Sequence, residues 1–181
     1  MLHPHVTLRR SSISGRGLFA KEKIPKGTIL WRFRNDRVYT RSQYKKFSKR
    51  YRASLRKYGY VAKNGNLVYC TGISKYWNHS CEPNTAWFNE QMDIAIEDIA
   101  PGEELTYDYV KLGPGTMRKC NCGTKNCRGT IKMESGNSKV VRKLTALGRE
   151  AGRNLFRVRQ PLLKDEELLS LRESMKPRSK S

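Results

Sequence analysis

Short stretches in which hydrophobic and polar residues alternate dominate the first two-thirds of the chain, and this alternation is typical of β-strands. Leu18–Ala20 is followed by Pro25–Gly27, whose residues favour a turn, and then by the largely apolar Thr28–Trp31. We therefore predict a β-hairpin from these two strands. Met92–Ile96 alternates like a half-buried strand. The block over about residues 6–131 is predicted to be mainly β.

Two other regions space their apolar residues by three and four positions, which is the period of an amphipathic helix. Between Arg41 and Lys57 an aromatic or apolar side chain recurs at these steps in a polar segment, so we predict one basic helix there. The same spacing from Val140 to Val158 predicts a second helix. The acidic run at Asp165 is typical of the start of a third, because carboxylates are favourable at helix N-termini.

The composition fits one domain of ordinary size with an additional segment, since the chain has 181 residues. Its 37 Lys and Arg against 16 Asp and Glu give a formal charge of +21. Such an excess attracts polyanions, so a nucleic acid or an acidic protein surface is one expected partner. Solvated basic surfaces without a partner are the alternative. No apolar run approaches the roughly 20 residues that span a bilayer, and the N-terminus lacks the apolar core of a secretory signal. We therefore expect an intracellular protein with no membrane partner.

The charge is unevenly distributed along the chain. Between Asp36 and Lys57 there are nine basic residues and one acid, whereas between Asn78 and Val110 there are eight acids and no Lys or Arg. An acidic surface in a very basic protein would attract a cationic substrate. The alternative is that these acids cap turns and keep strand edges soluble.

Three cysteines, Cys120, Cys122 and Cys127, are packed into eight residues. This crowding fits an intracellular metal site better than a disulfide framework. The array is one ligand short of the four thiolates of a closed zinc site, and Cys81 is the candidate for the fourth. Cys70 lies in an apolar segment and is predicted to be a small core residue. Unliganded thiols in a turn are the alternative.

Three further motifs precede the cysteine array. They are Gly-Arg-Gly at Gly15–Gly17, Asn-His-Ser-Cys-Glu-Pro-Asn at Asn78–Asn84, and Glu-Leu-Thr-Tyr-Asp-Tyr at Glu104–Tyr109. Each alone is weak evidence, but their order and spacing, together with the cysteines, resemble the SET-domain family of protein-lysine methyltransferases with its post-SET zinc-binding segment.

The resemblance implies a mainly β architecture with short helices, the SET-domain (β-clip) fold. In this fold the segment with the later tyrosines passes beside the loop that carries Asn78 and forms a pseudoknot. We expect a SET domain over residues 6–114, a post-SET zinc segment over 115–131 and a basic α-helical C-terminal extension over 137–175. The extension would pack on its own domain or bind a partner.

The same resemblance implies transfer of a methyl group from S-adenosylmethionine to the side-chain amine of a protein lysine. Backbone atoms of Gly15, Arg16 and Gly17 would contact the methionine part of this cofactor. Asn78 and His79 would bind it, largely at the adenine end, and would perform no proton transfer.

Three tyrosines are the implied catalytic residues. Tyr109 matches the family's key catalytic tyrosine and would also contact the cofactor. Tyr107 matches the position that influences how many methyl groups fit, where a tyrosine favours mono- or dimethylation. Tyr58 aligns with another tyrosine of the lysine channel. Attack by a lysine requires its neutral amine, and an aromatic channel would lower the pKa of a lysine, about 10.4 in water, by desolvation. The alternative for each residue is an ordinary core aromatic.

In the family, Cys81, Cys120, Cys122 and Cys127 would together hold one zinc ion. The implied partner is a protein that carries the target lysine, either histone-like or another basic protein. The basic insert and the C-terminal extension would face a nucleic acid or an acidic protein surface. We expect a cytoplasmic location in a bacterium and a nuclear or chromosomal one in a eukaryote. A catalytically inactive basic zinc module that binds nucleic acid or chromatin is the alternative function.

Overall fold

The computed structural model describes residues 1–33, 36–62, 64–111, 118–132, 134 and 138–175. Within these ranges the chain forms short β-strands and four α-helices. The strands are β1 (Val6–Arg10), β2 (Arg16–Ala20), β3 (Ile29–Arg32), β4 (Arg37–Tyr39), β5 (Gly59–Val61), β6 (Leu67–Tyr69), β7 (Asn78–His79), β8 (Thr85–Asn89), β9 (Met92–Ala95), β10 (Glu104–Tyr107), β11 (Arg118–Lys119) and β12 (Thr130–Ile131). The helices are α1 (Arg41–Lys46), α2 (Lys49–Tyr58), α3 (Lys139–Gly152) and α4 (Asp165–Ser174).

The strands form four small sheets with the orders β1-β2-β10-β7, β3-β9-β8, β4-β6-β5 and β11-β12. Strand β10 is antiparallel to β2 and parallel to β7, so that Thr106 lies opposite Asn78 and Tyr107 opposite His79. The later tyrosine segment therefore passes beside the Asn78 loop. The prediction of a mainly β fold with short helices and a helical C-terminal extension is confirmed. The predicted boundary at residues 114–115 lies outside the described residues.

The predicted hairpin between Leu18–Ala20 and Thr28–Trp31 is wrong, although both strands exist. Strand β2 pairs with β1 and β10, whereas β3 pairs with β9 in another sheet. The turn does form, because the Thr28 amide donates to the Pro25 carbonyl at 3.1 Å. It carries the chain from one sheet to the next, and long-range pairing decides the partner of each strand.

The single helix predicted from Arg41 to Lys57 is two helices. Phe47, with φ −76° and ψ 152°, is extended and ends α1. The Ser48 side chain then accepts a hydrogen bond from the Tyr51 amide at 3.2 Å and caps a new helix. A serine hydroxyl competes with the helical hydrogen-bond pattern in this way, and the apolar spacing alone does not reveal the break.

The C-terminal extension packs on the rest of the domain through α3. A Cβ atom at Gly148 would lie 2.3 Å from the Trp87 carbonyl oxygen, and one at Gly152 would lie 2.5 Å from the Phe88 ring. Only glycine allows the helix to approach β8 this closely.

The predicted helix to Val158 instead ends at Gly152, and Leu155 enters a short 3-10 turn. The Leu155 carbonyl accepts from the Gln160 side chain, which also donates to the Gly27 carbonyl and accepts from the Ile29 amide. Leu155 itself is fully buried. Burial of such a side chain stabilises a fold by roughly 1.5–3 kcal/mol, so this turn anchors the extension against β3. The helix predicted at Asp165 is present as α4.

None of the helices in the described part of the chain has the length and apolar character needed to cross a membrane.

Candidate active site

The four cysteines predicted as metal ligands come together. The Sγ atoms of Cys81, Cys120, Cys122 and Cys127 all lie within 4.8 Å of one another. The sulfurs of Cys81 and Cys120 are 3.8 Å apart. Four thiolates at about 2.3 Å from a tetrahedral zinc would be separated by about 3.8 Å, so the donor set fits this metal in number, type and spacing.

Hydrogen bonds from the surrounding loop are directed at these sulfurs. The Arg128 amide donates to Cys81 Sγ at 3.3 Å, and the Gly129 amide donates to Cys127 Sγ at 3.4 Å. Such N–H donors stabilise thiolates and orient them around a metal. Cys70 lies elsewhere, and burial raises the pKa of its thiol to about 12. Its predicted role as an apolar core residue is only partly right, because it lines a cavity.

His79 connects the cysteine cluster to the catalytic tyrosine candidate. Its Nδ1 accepts a hydrogen bond from the Tyr109 amide at 3.1 Å, and its Nε2 lies 3.4 Å from Cys81 Sγ. Burial lowers the pKa of the imidazole to about 4, so the ring is neutral at physiological pH. With Nδ1 as acceptor, the ring proton is on Nε2 and faces the sulfur. The His79 side chain therefore positions Tyr109 and the Cys81 loop.

A buried ion pair lies next to this histidine. The Asp108 carboxylate is 1% exposed and accepts a hydrogen bond from the Arg128 guanidinium at 2.8 Å. The Arg128 amide also donates to Cys81, so one residue contacts both the cluster and the segment between the two tyrosines. This ion pair holds the segment that follows Cys127 against the end of β10.

Asn78 holds the Gly15–Gly17 loop through its side-chain amide. Its Nδ2 donates to the carbonyls of Ser14 at 3.2 Å and Arg16 at 3.0 Å, and to Glu104 Oε1 at 2.8 Å. The loop, β7 and β10 are thus joined by one buried side chain. Gly15, Arg16 and Gly17, which the sequence predicts to bind the cofactor, therefore lie beside Asn78.

The two glycines of this loop differ in their surroundings. A Cβ atom at Gly17 would lie 2.0 Å from Glu104 Oε1 and 3.0 Å from Asn78 Nδ2, so any other residue would displace the Glu104 carboxylate. Gly15 has a φ of +53° and no heavy atom within 4 Å of such a Cβ atom. A left-handed backbone that faces open space lets a ligand approach the main chain closely. The loop geometry therefore suits binding of a cofactor through its backbone.

An aromatic cavity of about 300 Å³ lies beside Tyr109. Seven aromatic residues contribute to its wall, including all three predicted catalytic tyrosines. We call it the aromatic cavity, and its aromatic lining residues are Trp31, Tyr58, Tyr60, Trp77, Trp87, Tyr107 and Tyr109.

The two tyrosines after Thr106 occupy different places in this wall. The Tyr109 hydroxyl donates to the Trp77 carbonyl. The Tyr107 ring packs between Trp77 and Trp87, with centroids 6.0 Å and 5.9 Å away. Burial raises the pKa of Tyr107 well above its usual value, so this hydroxyl stays protonated and can donate or accept a hydrogen bond.

Tyr58 lines the same cavity beneath a cationic rim. The ammonium groups of Lys57 and Lys75 lie 5.1 Å and 5.6 Å from its ring centroid, and Tyr76 packs edge-on at 5.7 Å. Its ring face is therefore covered by cations and an aromatic edge.

Tyr60 was missed from the sequence. It lines the aromatic cavity, and burial raises the pKa of its hydroxyl above the usual range. No local period indicated it, because Tyr58 is the last residue of α2 and Tyr60 lies in β5, so the two do not share the alternation of one strand. The three tryptophans were also missed, since they come from separate segments that only the fold brings together.

Comparison with known proteins identifies the same region. A family model described as the SET domain matches residues 15–110. Histone-lysine N-methyltransferase ASHH2 of Arabidopsis thaliana is 32% identical over 146 residues, which cover 73% of this chain and 8% of that protein. An H3 lysine-4 specific histone-lysine N-methyltransferase of Chaetomium globosum is 30% identical over 140 residues, which cover 70% of this chain and 13% of that protein. The chain thus spans about a tenth of the length of these relatives.

A solved structure agrees with these matches. The methyltransferase domain of human histone-lysine N-methyltransferase SETMAR superposes with a TM-score of 0.54 at 25% sequence identity. The matched region covers 74% of this chain and 60% of that one.

Proposed function

The chain belongs to the SET-domain family, as its motifs predict, and on this basis we propose that it transfers methyl groups from S-adenosylmethionine to the side-chain amine of a protein lysine. The observation that carries the proposal is the position of Tyr109. Tyr109 lines the aromatic cavity and its hydroxyl donates to Trp77, another lining residue, while its amide is held by His79 beside the Asn78 loop. One residue thus contacts both the lysine side and the cofactor side.

S-adenosylmethionine, which SET methyltransferases use, supplies an electrophilic methyl group when bound. In our proposal the backbone of Gly15, Arg16 and Gly17 binds its methionine part, and Asn78 and His79 hold its adenine end. His79 would act through its backbone, because its ring is occupied by Tyr109 and Cys81. Asn78 also supports the loop, since its amide donates to the Ser14 and Arg16 carbonyls.

The lysine side must present a neutral amine with its lone pair directed at the methyl group. A lysine side chain in the aromatic cavity leaves water, which lowers the pKa of its amine. The Tyr109 hydroxyl and the Trp77 carbonyl then orient the nitrogen by hydrogen bonds. Exclusion of water by the surrounding rings strengthens each of these contacts.

Tyr107 is proposed to limit the number of methyl groups. Its hydroxyl is buried and protonated, and its ring is fixed between two tryptophans. A hydroxyl held there occupies space beside the amine, which favours mono- or dimethylation over trimethylation.

Methyl transfer can be tested directly with labelled S-adenosylmethionine and purified histones, ribosomal proteins and the chain itself as acceptors. We expect label on a lysine with the wild-type protein and a loss of about a hundredfold or more in Tyr109→Phe. Tyr39→Phe is the matched control, because this hydroxyl bonds to Tyr51 away from the cavity. Absence of both transfer and cofactor binding would refute the proposal and favour the inactive zinc module instead.

We further propose that one zinc ion is bound by Cys81, Cys120, Cys122 and Cys127. The spacing of their sulfurs and the amide hydrogen bonds to them support this assignment. Since Cys81 follows His79 by two residues, the metal would stabilise the same loop that holds Tyr109. Zinc is thus proposed as part of the construction of the active site.

The proposed substrate is a histone or another basic protein. The exposed basic side chains of α1 and α2 and the C-terminal extension would attract an anionic partner, either nucleic acid or an acidic protein surface. We propose an intracellular location, cytoplasmic in a bacterium and nuclear or chromosomal in a eukaryote. Fluorescence microscopy of a tagged chain in its host tests the location, and exclusion from these compartments would refute it.

A further inference from the structure

The eight acids between Asn78 and Val110 separate into two groups in the structure. Six of them do not line the aromatic cavity. Five accept a hydrogen bond or an ion pair away from the aromatic cavity: Glu82 from Asn126, Asp98 from Lys23, Glu103 from Asn84, Glu104 from Asn78 and Asp108 from Arg128. Glu97 is exposed to solvent outside the cavity. Glu90 and Asp93 line the aromatic cavity, Glu90 from an exposed turn and Asp93 from a half-buried position.

Asp93 lies on the central strand of its sheet and between two tryptophans. In β9 it is opposite Trp31 of β3 on one side and Trp87 of β8 on the other. Directly opposed residues point to the same face of a sheet, and all three line the aromatic cavity. The alternating pattern of β9 would place this aspartate in bulk solvent, but its face of the sheet is covered by aromatic rings.

The electrostatic effect of Asp93 reaches the tyrosines of the cavity. Burial is the main cause of the raised pKa of Tyr107 and Tyr60, and the negative charge of Asp93 adds to it in both. The geometry agrees, because Asp93 lies opposite Trp87, whose ring packs on Tyr107 with centroids 5.9 Å apart. A carboxylate among aromatic rings in a region of low dielectric interacts strongly with an ammonium group.

We propose that Asp93 is the specificity residue that receives the ammonium group of the target lysine as it enters the aromatic cavity. This inference rests on the proposed function and names the side chain that selects a cationic substrate. The lining of the cavity also includes Arg56, Lys57 and Lys75, which would repel the ammonium group and favour its approach to Asp93. A carboxylate near the amine favours its charged form, so Asp93 acts in recognition and not in activation of the nucleophile.

The chain contains a probe for this contact. It has three tryptophans, and all three line the aromatic cavity, so intrinsic fluorescence reports on its contents. The ligands are n-butylammonium, which copies the end of a lysine side chain, and n-butanol, its neutral counterpart. The wild-type protein should bind the cation about tenfold more tightly than the alcohol, as a charge-assisted contact predicts. Equal affinities of the wild-type protein for n-butylammonium and n-butanol would be enough to overturn the proposal.

Two variants test whether the preference for the cation depends on Asp93. Asp93→Asn should bind both ligands equally, whereas Asp93→Glu should keep most of the preference for the cation. Glu97→Gln is the matched control, because it removes the same charge from an exposed position outside the cavity and should leave the preference unchanged. Loss of the preference in Glu97→Gln, or its retention in a folded Asp93→Asn, would refute the role of Asp93. Circular dichroism checks the fold of each variant.

A kinetic measurement separates this inference from the proposed function. With the best acceptor protein from the labelled-methyl assay, Asp93→Asn should raise KM about tenfold and leave kcat unchanged or higher. A fall in kcat at unchanged KM would contradict a role in recognition. If the wild-type protein transfers no methyl group, the proposed function fails, while the butylammonium preference still decides whether Asp93 binds a cation.

Discussion

Tyr109 lies between two regions of different composition, which we call the proposed cofactor side and the proposed lysine side. On the cofactor side the contacts are polar and directional, and Asn78, His79 and Glu104 each accept or donate hydrogen bonds at 2.8–3.2 Å. On the lysine side the wall consists of aromatic rings with centroids about 6 Å apart around a cavity. Hydrogen bonds weaken steeply when their distance or angle changes, whereas aromatic pairs are favourable over a broad range of centroid distances. We therefore expect the cofactor side to respond to substitution more sharply than the lysine side.

Removal of the proposed zinc ion should have the largest effect, because the ion would act on the proposed cofactor side through Cys81 and His79. Cys81→Ser should lose the metal, and methyl transfer should fall to background, since structural zinc contributes about 10 kcal/mol or more to the folding of its segment. Elemental analysis measures the metal, with one zinc per chain expected in the wild-type protein. Cys70→Ser should retain its zinc. Undiminished metal in Cys81→Ser would reject this residue as the fourth ligand.

Gly17→Ala should break the cofactor side alone. The added Cβ atom would lie 2.0 Å from Glu104 Oε1, so the carboxylate and the Asn78 amide must move. Overpacking of this kind costs about 1–3 kcal/mol, and we expect the affinity for S-adenosylhomocysteine to fall about tenfold in calorimetry. Binding of n-butylammonium, measured by fluorescence, serves as the internal control and should persist. A joint loss of both affinities would show that the two sides are not separable.

Gly148→Ala should loosen the lysine side and leave the cofactor side intact. The new Cβ atom would lie 2.3 Å from the Trp87 carbonyl, which pushes α3 away from the wall of the aromatic cavity. We expect a loss of about 2 kcal/mol in the free energy of unfolding, measured by urea titration, and weaker n-butylammonium binding. Affinity for S-adenosylhomocysteine should change less than twofold. A larger change would mean that the helix supports both sides.

Tyr107→Phe should give the smallest change, confined to the product. The ring and its packing between the tryptophans remain, so stability and cofactor affinity should stay near wild-type values. Removal of the hydroxyl makes room beside the amine, and mass spectrometry of the methylated acceptor should show a shift towards trimethyllysine. An unchanged product distribution would contradict the proposed role of this hydroxyl.

The division between the two sides also explains what the sequence could reveal. The family, the mainly β fold and the helical extension were predicted correctly from contiguous motifs and their order. The cysteines and Gly15–Gly17 were recognised because metal binding and close backbone approach require particular residue types at short spacing. The four cysteines lie together and Gly15–Gly17 lies beside Asn78, as expected. The roles of both groups remain predictions.

The lysine side was recognised incompletely, because it is assembled by long-range strand pairing. Nothing near Asp93 in the sequence indicates that Trp31 and Trp87 lie on either side of it. The incorrect β2–β3 hairpin has the same origin, since local turn residues predict a turn but not which strands pair. The break at Ser48 depends on one side-chain hydrogen bond, which the apolar period does not reveal.

The Gln160 side chain has a consequence for the order in which the protein is made. It bonds to main-chain groups of Gly27 and Ile29, which lie 133 and 131 positions earlier. At roughly 5–20 residues per second, a ribosome needs roughly 7–26 seconds to reach Gln160 after it has added Ile29. During this interval β3 lacks its hydrogen bond to Gln160. The apolar surface that α3 later covers is exposed to chaperones and to aggregation. Packing of the C-terminal extension on the sheet that carries Trp31 and Trp87 is therefore a late event in biosynthesis.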